Sequence, residues 1–258
     1  MPMIAFYDSG LGGLSVLREA RALLAGQELH YIADSAYCPY GPRPPAEVCA
    51  RALAVGRWAA DRGAGLLVVA CNTASSVALE LLRAELPLPV VGMEPGLKPA
   101  VAATRSGVVG VLATSNTLAG ARFAALVERF AEGVQVLTQP CPGLVEQVEA
   151  GDLSGPQTRA LVERYAGPLL ARGADTLVLG CTHYPFVEPL IAELAGPQVT
   201  IVDTGPAVAR QVVRVAAERG LAPGRDLIRC YTTGDPAEVA PPMLRLLGQP
   251  APVEHADI

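Results

Sequence analysis

The sequence predicts an α/β protein: two pseudo-symmetric three-layer α/β/α lobes with mainly parallel sheets and an active site in the cleft between them. Three observations carry this expectation. First, strand-sized runs of Val, Leu and Ile, such as 66–71 and 176–181, alternate with helix-length stretches along all 258 residues. Continuous apolar runs of that size mark parallel strands buried on both faces. Second, the chain carries a faint internal repeat. LLVVACNT (66–73) matches TLVLGCTH (176–183), with Cys71 over Cys181 at an offset of 110. IAFYDS (4–9) matches the run ending at Ser115, with Asp8 over Thr114 at an offset of 106. Third, the stretch 208–258 has no partner after the repeat and is expected to return to the first lobe. The expected division is therefore 1–96 plus 208–258 against 97–207.

The elements follow in order. Strands are expected at 3–7, 28–33, 66–70, 90–92, 108–113, 134–138, 177–180, 199–202 and 227–231, where β-branched and leucine residues cluster between turn formers. Helices are expected at 14–24, 46–62, 73–85, 97–104, 118–130, 157–171, 186–194 and 208–219. The Pro/Gly-rich segment 38–45 reads as a loop.

Composition excludes several classes. The net charge of −5 argues against a nucleic-acid surface, which needs a basic stripe. The N-terminus lacks the basic region of a signal peptide, and no apolar window reaches membrane-spanning length. The six cysteines are scattered without a CxxC, so they read as mostly free thiols of a cytoplasmic protein rather than a disulfide framework. Lys98 is the single lysine, and it lies away from every strand-end motif, which disfavours pyridoxal-phosphate chemistry.

The chemistry-bearing residues gather at strand ends, where α/β sheets bind ligands. The strongest feature is the matched pair Cys71-Asn72-Thr73 and Cys181-Thr182-His183. Each thiol is expected just before a helix, with Asn72 and Thr182 at N-cap positions. There the helix terminus would draw the thiol pKa down toward neutrality and the free N–H groups would suit a carboxylate. Asp8-Ser9-Gly10-Leu11-Gly12-Gly13 follows the first strand. It fails as a dinucleotide fingerprint, because Ser15 replaces the last glycine and Asp8 would oppose a pyrophosphate. Asp8 suits a substrate ammonium, or the orientation of an acid/base group. Tyr40 and Gly41 lie on the loop after the second strand, and Thr114 and Thr117 occupy the second lobe's counterpart of Asp8. A metal at Cys181 and His183 lacks a second tight ligand pair. Glu149 reads equally as an acid near His183 or as the last turn of a short helix, and Cys141 reads as structural. Two thiols facing one cleft suit inversion of a stereocentre beside a carboxylate, one acting as base and the other as acid.

The set Asp8-Ser9-Gly10-x-Gly12-Gly13, Pro39-Tyr40-Gly41, Cys71-Asn72-Thr73-Ala74-Ser75, Cys141-Pro142-x-Leu144-Val145 and Gly180-Cys181-Thr182-His183-Tyr184-Pro185 resembles glutamate racemase, nearly over the full length. The resemblance implies cofactor-independent interconversion of L- and D-glutamate, supplying D-glutamate to peptidoglycan. It implies Cys71 and Cys181 as the two acid/base residues, working on the D- and L-enantiomers respectively, with Asp8 and His183 as their helpers. It implies a pocket lined by Asp8, Ser9, Tyr40, Gly41, Asn72, Thr73, Thr182 and His183, to which Thr114 and Thr117 are added. It also implies a cytoplasmic homodimer with no metal, nucleic-acid or membrane partner. Rival readings are a racemase of aspartate or hydantoin, a Cys–His amidase using Cys181 and His183, and a non-catalytic two-lobed binding module.

Overall fold

A computed structural model describes residues 3–221 and 224–258. In chain order the first elements are β1 (Met3–Asp8), α1 (Leu14–Leu23), β2 (Glu28–Ala33), α2 (Pro45–Asp61), β3 (Ala64–Val69), α3 (Asn72–Glu85) and β4 (Val90–Val91). There follow α4 (Leu97–Ala103), β5 (Val108–Ala113), α5 (Ser115–Ala119), α6 (Ala121–Phe130), β6 (Gln135–Pro140), α7 (Leu144–Glu149), α8 (Pro156–Ala171), β7 (Thr176–Gly180), α9 (Glu188–Ala195) and β8 (Thr200–Val202). The chain closes with α10 (Gly205–Glu218), β9 (Leu227–Thr232), α11 (Pro236–Leu247) and β10 (Val253–His255).

The strands form two sheets, ordered β10-β9-β2-β1-β3-β4 and β6-β5-β7-β8. Every pairing is parallel. The inner order repeats: β2-β1-β3-β4 in one sheet matches β6-β5-β7-β8 in the other, the arrangement that the internal sequence repeat implies. β9 and β10 extend the first sheet beside β2, and α10 packs on α1.

Period-2 alternation explains the layers. Ile4 and Phe6 of β1 join one apolar cluster, whereas Met3, Ala5 and Tyr7 join another on the opposite face. β3 repeats this with Leu66 and Val68 against Leu67 and Val69. The first cluster continues through α1, α10 and α11 to Leu177 and Leu179 of β7, so one core runs through both sheets' facing layers. Val178 of β7 and Val109 and Val111 of β5 face a third cluster with α4 and α6.

Several expectations need correction. The helix expected at 118–130 is broken at Gly120, which is extended (φ −71°, ψ 141°). A Cβ there would stand 2.0 Å from Ser76 Oγ, so the break lets this turn approach α3. The helix expected at 186–194 begins as a 3-10 turn over Tyr184–Val187 and becomes α-helical only at Glu188. α11 and β10 were not foreseen. Pro241 and Pro242 lie inside α11 and each removes a backbone donor. The helix forms nonetheless between an Asp235 cap, which accepts from Ala237 N–H, and a left-handed Gly248 (φ 76°).

Candidate active site

The parallel topology brings the C-terminal ends of β1, β3, β5 and β7 to one cleft. A small cavity lies there, with about 10 Å³ open to a water-sized molecule. It is lined by Ser9, Tyr40, Gly41, Cys71, Asn72, Thr73, Thr114, Cys181, Thr182 and His183, together with Pro39 and Val145. Both cysteines therefore face one space from equivalent positions of the two sheets.

Two residues expected in the pocket stand behind it. Asp8 lies beneath the cavity floor, fully buried. Its Oδ1 accepts from Ser9 N–H at 2.7 Å, and its Oδ2 accepts from Gly13 N–H at 2.6 Å and from Thr182 Oγ1 at 3.4 Å. Burial raises the Asp8 carboxyl above its ordinary value, which the nearby His183 partly opposes. Gly13 is required at this turn: a Cβ would meet Ala70 O at 2.8 Å and Asp8 Cβ at 2.8 Å. Thr117 backs Thr114 at 2.9 Å, and Thr114 in turn touches Thr73 at 2.8 Å, forming a hydroxyl chain across the cleft.

Cys71 is itself the N-cap of α3, its Sγ accepting from Ala74 N–H at 3.5 Å. Asn72 is the first helical residue, not the cap. The expected lowering of the Cys71 pKa is reversed. Burial pushes this thiol well above its ordinary value, and the charge of Asp8 adds to the effect. One helix terminus and one long N–H···S contact do not offset removal from water. The side-chain amide of Asn72 is buried, and neither its nitrogen nor its oxygen has a hydrogen-bond partner among the described residues. A buried amide left unpaired is costly, so a polar ligand in this cavity is its natural partner.

Cys181 is followed by a bend and the 3-10 turn rather than an α-helix. Its Sγ lies 3.7 Å from His183 Nδ1. On the other side of the ring, Nε2 is 2.5 Å from Glu149 Oε1, at the last residue of α7. With the ring charged, Nε2–H donates to the carboxylate, and the Gly12 N–H aimed at the same nitrogen from 3.2 Å then finds no acceptor there. Burial alone would depress the imidazole pKa. Its contacts with Cys181, Cys38 and Glu149 outweigh burial and hold it well above the ordinary value. Glu149 Oε1 also accepts from Leu11 N–H at 2.6 Å. Both open readings of Glu149 thus hold: it ends a short helix and it touches His183.

No role is expected for Cys38 from the sequence. Its sulfur lies with Glu149 and His183 in a group whose donor atoms are all within 4.8 Å of one another. Its position next to the Pro39-Tyr40-Gly41 motif was the available signal. Behind Tyr40 runs a buried chain. Tyr7 OH donates to Tyr40 OH at 2.7 Å, and Tyr40 OH donates to Asp34 at 2.5 Å. Arg51 pairs with both Asp34 oxygens at 3.0 and 2.8 Å. Lys98 lies elsewhere, its Nζ 5.8 Å from the Phe130 ring centre. All six cysteines are unbridged. Among the described residues no helix is long and apolar enough to cross a membrane.

Comparison with known proteins adds a family. The profile described as Asp/Glu/Hydantoin racemase matches residues 14–212. A curated glutamate racemase from Methylococcus capsulatus is 56% identical over 249 residues, covering 95% of this chain and 91% of that one. Among solved structures, glutamate racemase isoform RacE1 from Bacillus anthracis superposes with a TM-score of 0.89 at 31% identity, covering 100% of this chain and 98% of that one. Escherichia coli glutamate racemase, solved in complex with L-glutamate and activator UDP-MurNAc-ala, gives a TM-score of 0.88 at 32% identity, with 98% and 97% covered.

Proposed function

Because the chain belongs to the Asp/Glu/hydantoin racemase family and is an isomerase, we propose that it interconverts L- and D-glutamate with Cys71 and Cys181 as a two-base pair. The observation that carries the reading is the placement of two cysteines, from equivalent strand ends, on one small cavity that also holds the unpaired Asn72 amide. The glutamate substrate comes from the relatives' activity, including the one solved with L-glutamate.

The two halves of the cavity are unlike. Beside Cys181 the charged ring of His183, supported by Glu149, supplies positive charge. Cys71 is buried beside the Asp8 carboxylate, and both influences keep its proton on sulfur. With L-glutamate Cys181 is the base and Cys71 the acid. Cys181 removes the Cα proton of L-glutamate, and Cys71 returns its own proton to the opposite face, giving D-glutamate. The reverse reaction starts from the opposite protonation. Asn72 and the hydroxyls of Thr73 and Thr182 bind the substrate carboxylates. Closure excludes water around the carbanion, whose charge is met by fixed dipoles.

In this reading the lobes are 1–96 plus 208–258 and 97–207. The enzyme works as a cytoplasmic homodimer, and its D-glutamate goes to peptidoglycan. The test is circular dichroism of L-glutamate, D-glutamate and L-aspartate with the purified protein and no added cofactor. Loss of signal from either glutamate enantiomer is the expected result. An inert glutamate sample, or faster decay with aspartate, refutes the substrate assignment.

A further inference from the structure

We propose that Cys38, His183 and Glu149 form a binding site for a divalent metal of the Zn²⁺ class, and that the bound metal shuts off turnover. Three separate segments supply the donors: the loop after β2, the end of β7 and the end of α7. One sulfur, one nitrogen and one oxygen lie within 4.8 Å of one another. Tetrahedral zinc takes S, N and O ligands at ~2.0–2.3 Å, which sets ligand atoms roughly 3.5 Å apart. To reach that spacing the His183–Glu149 contact, now 2.5 Å, opens by about 1 Å or the second carboxylate oxygen turns in, and Cys38 Sγ, within 4.8 Å of both, closes on them. That second oxygen has no hydrogen-bond partner among the described residues, whereas Oε1 is held by Leu11 N–H. Gly10 forms the floor: a Cβ there would stand 2.1 Å from Glu149 Oε1 and 2.7 Å from Cys38 Sγ. Only a glycine lets the two ligands converge over it. Cys38 and Glu149 are half-buried, which leaves an entry path from the cleft rim.

The metal forms S–M, N–M and O–M bonds. It displaces the thiol proton and the Nε2 proton to solvent and leaves every oxidation state unchanged. One thiolate and one carboxylate then balance two positive charges. Coordination at Nε2 breaks the His183–Glu149 hydrogen bond and ties the ring to Cys38, drawing Nδ1 from its place 3.7 Å from Cys181 Sγ, and turnover stops. The inhibitory half of this inference rests on His183 being the helper of Cys181, whereas the binding half does not.

The experiment uses metal-free purified protein titrated with Co²⁺ and, separately, Zn²⁺. Thiolate-to-Co²⁺ charge-transfer absorption is expected in wild type and in the C71A/C181A double variant. It should be absent in Cys38→Ala. Zn²⁺ should inhibit wild type reversibly, with removal by a chelator. Cys38→Ala and Cys38→Ser should each bind Zn²⁺ at least ~10-fold more weakly, inhibition being scored against each variant's own metal-free rate. Undiminished zinc sensitivity in both Cys38 variants, or loss of the Co²⁺ band in C71A/C181A, overturns the site. Metal bound through Cys38 without inhibition upholds the site and overturns the role given to His183.

Discussion

Replacing Glu149 by glutamine removes one negative charge and keeps the shape of the side chain. Glu149 does not touch the cavity, and it acts through His183 as a positioning residue. Its Oε1 accepts two hydrogen bonds, from Leu11 N–H at 2.6 Å and from His183 Nε2–H at 2.5 Å. A bond to a charged group contributes ~1.5–3 kcal/mol and a neutral one ~0.5–1.5, so each bond weakens by about 1 kcal/mol or somewhat more. Only the bond to His183 depends on the charge of the ring, so about 1–1.5 kcal/mol acts against the state with His183 charged, or roughly 5- to 13-fold. Enantiomers are equal in free energy, so kcat/KM must be the same from either side in every variant. The expected outcome is an equal loss of roughly 5- to 13-fold in kcat/KM with L- and D-glutamate, carried by kcat rather than KM. The alkaline limb of the pH–rate profile should also move to lower pH, because His183 gives up its proton more readily without the carboxylate. The assay is coupled turnover from each enantiomer across pH, with circular dichroism to show that the variant is folded. A loss under threefold with an unmoved alkaline limb refutes the reasoning.

Other outcomes follow from the same geometry. His183 should hold its proton to higher pH than an exposed histidine, seen as an imidazolium NMR signal that disappears in His183→Gln. Because its folded-state pKa is raised, the stability it contributes is complete below the unfolded value of ~6.5 and is lost as pH rises through the folded value. Arg51→Met should destabilise the fold by ~3–5 kcal/mol in urea unfolding, since it strands the fully buried Asp34 carboxylate; a change below 1 kcal/mol contradicts this. Gly13→Ala should cost about 1–3 kcal/mol and most of the activity, because the added methyl collides with the backbone at Ala70. Asn72→Ala should raise KM with little loss of stability, because its amide has no partner in the protein to lose.

The strand ends were legible because buried parallel strands leave continuous apolar runs, and the repeated cysteines marked where two of them stop. Proline content hid α11, since local propensity weighs Pro241 and Pro242 heavily while the Asp235 cap and packing against α1 decide the outcome. Gly120 gave no local sign that it breaks a helix, because its cause is Ser76 on a distant segment. The same limit explains Cys71. A strand–Cys–helix motif announces a helix terminus, but the thiol's burial beside Asp8 is a tertiary property, and it reverses the sign of the pKa shift. Glu149 and Cys38 meet His183 across 34 and 145 residues of sequence, beyond the reach of any spacing rule.

The central claim is that two different thiols serve the two faces of Cα. Its most direct test is racemisation in D₂O with each enantiomer, stopped early, with deuterium at Cα measured separately in recovered substrate and in product. Two bases predict deuterium in the product enantiomer and almost none in the remaining substrate, whichever enantiomer is supplied. Equal early labelling of substrate and product would mean that one group serves both faces, and would contradict the account.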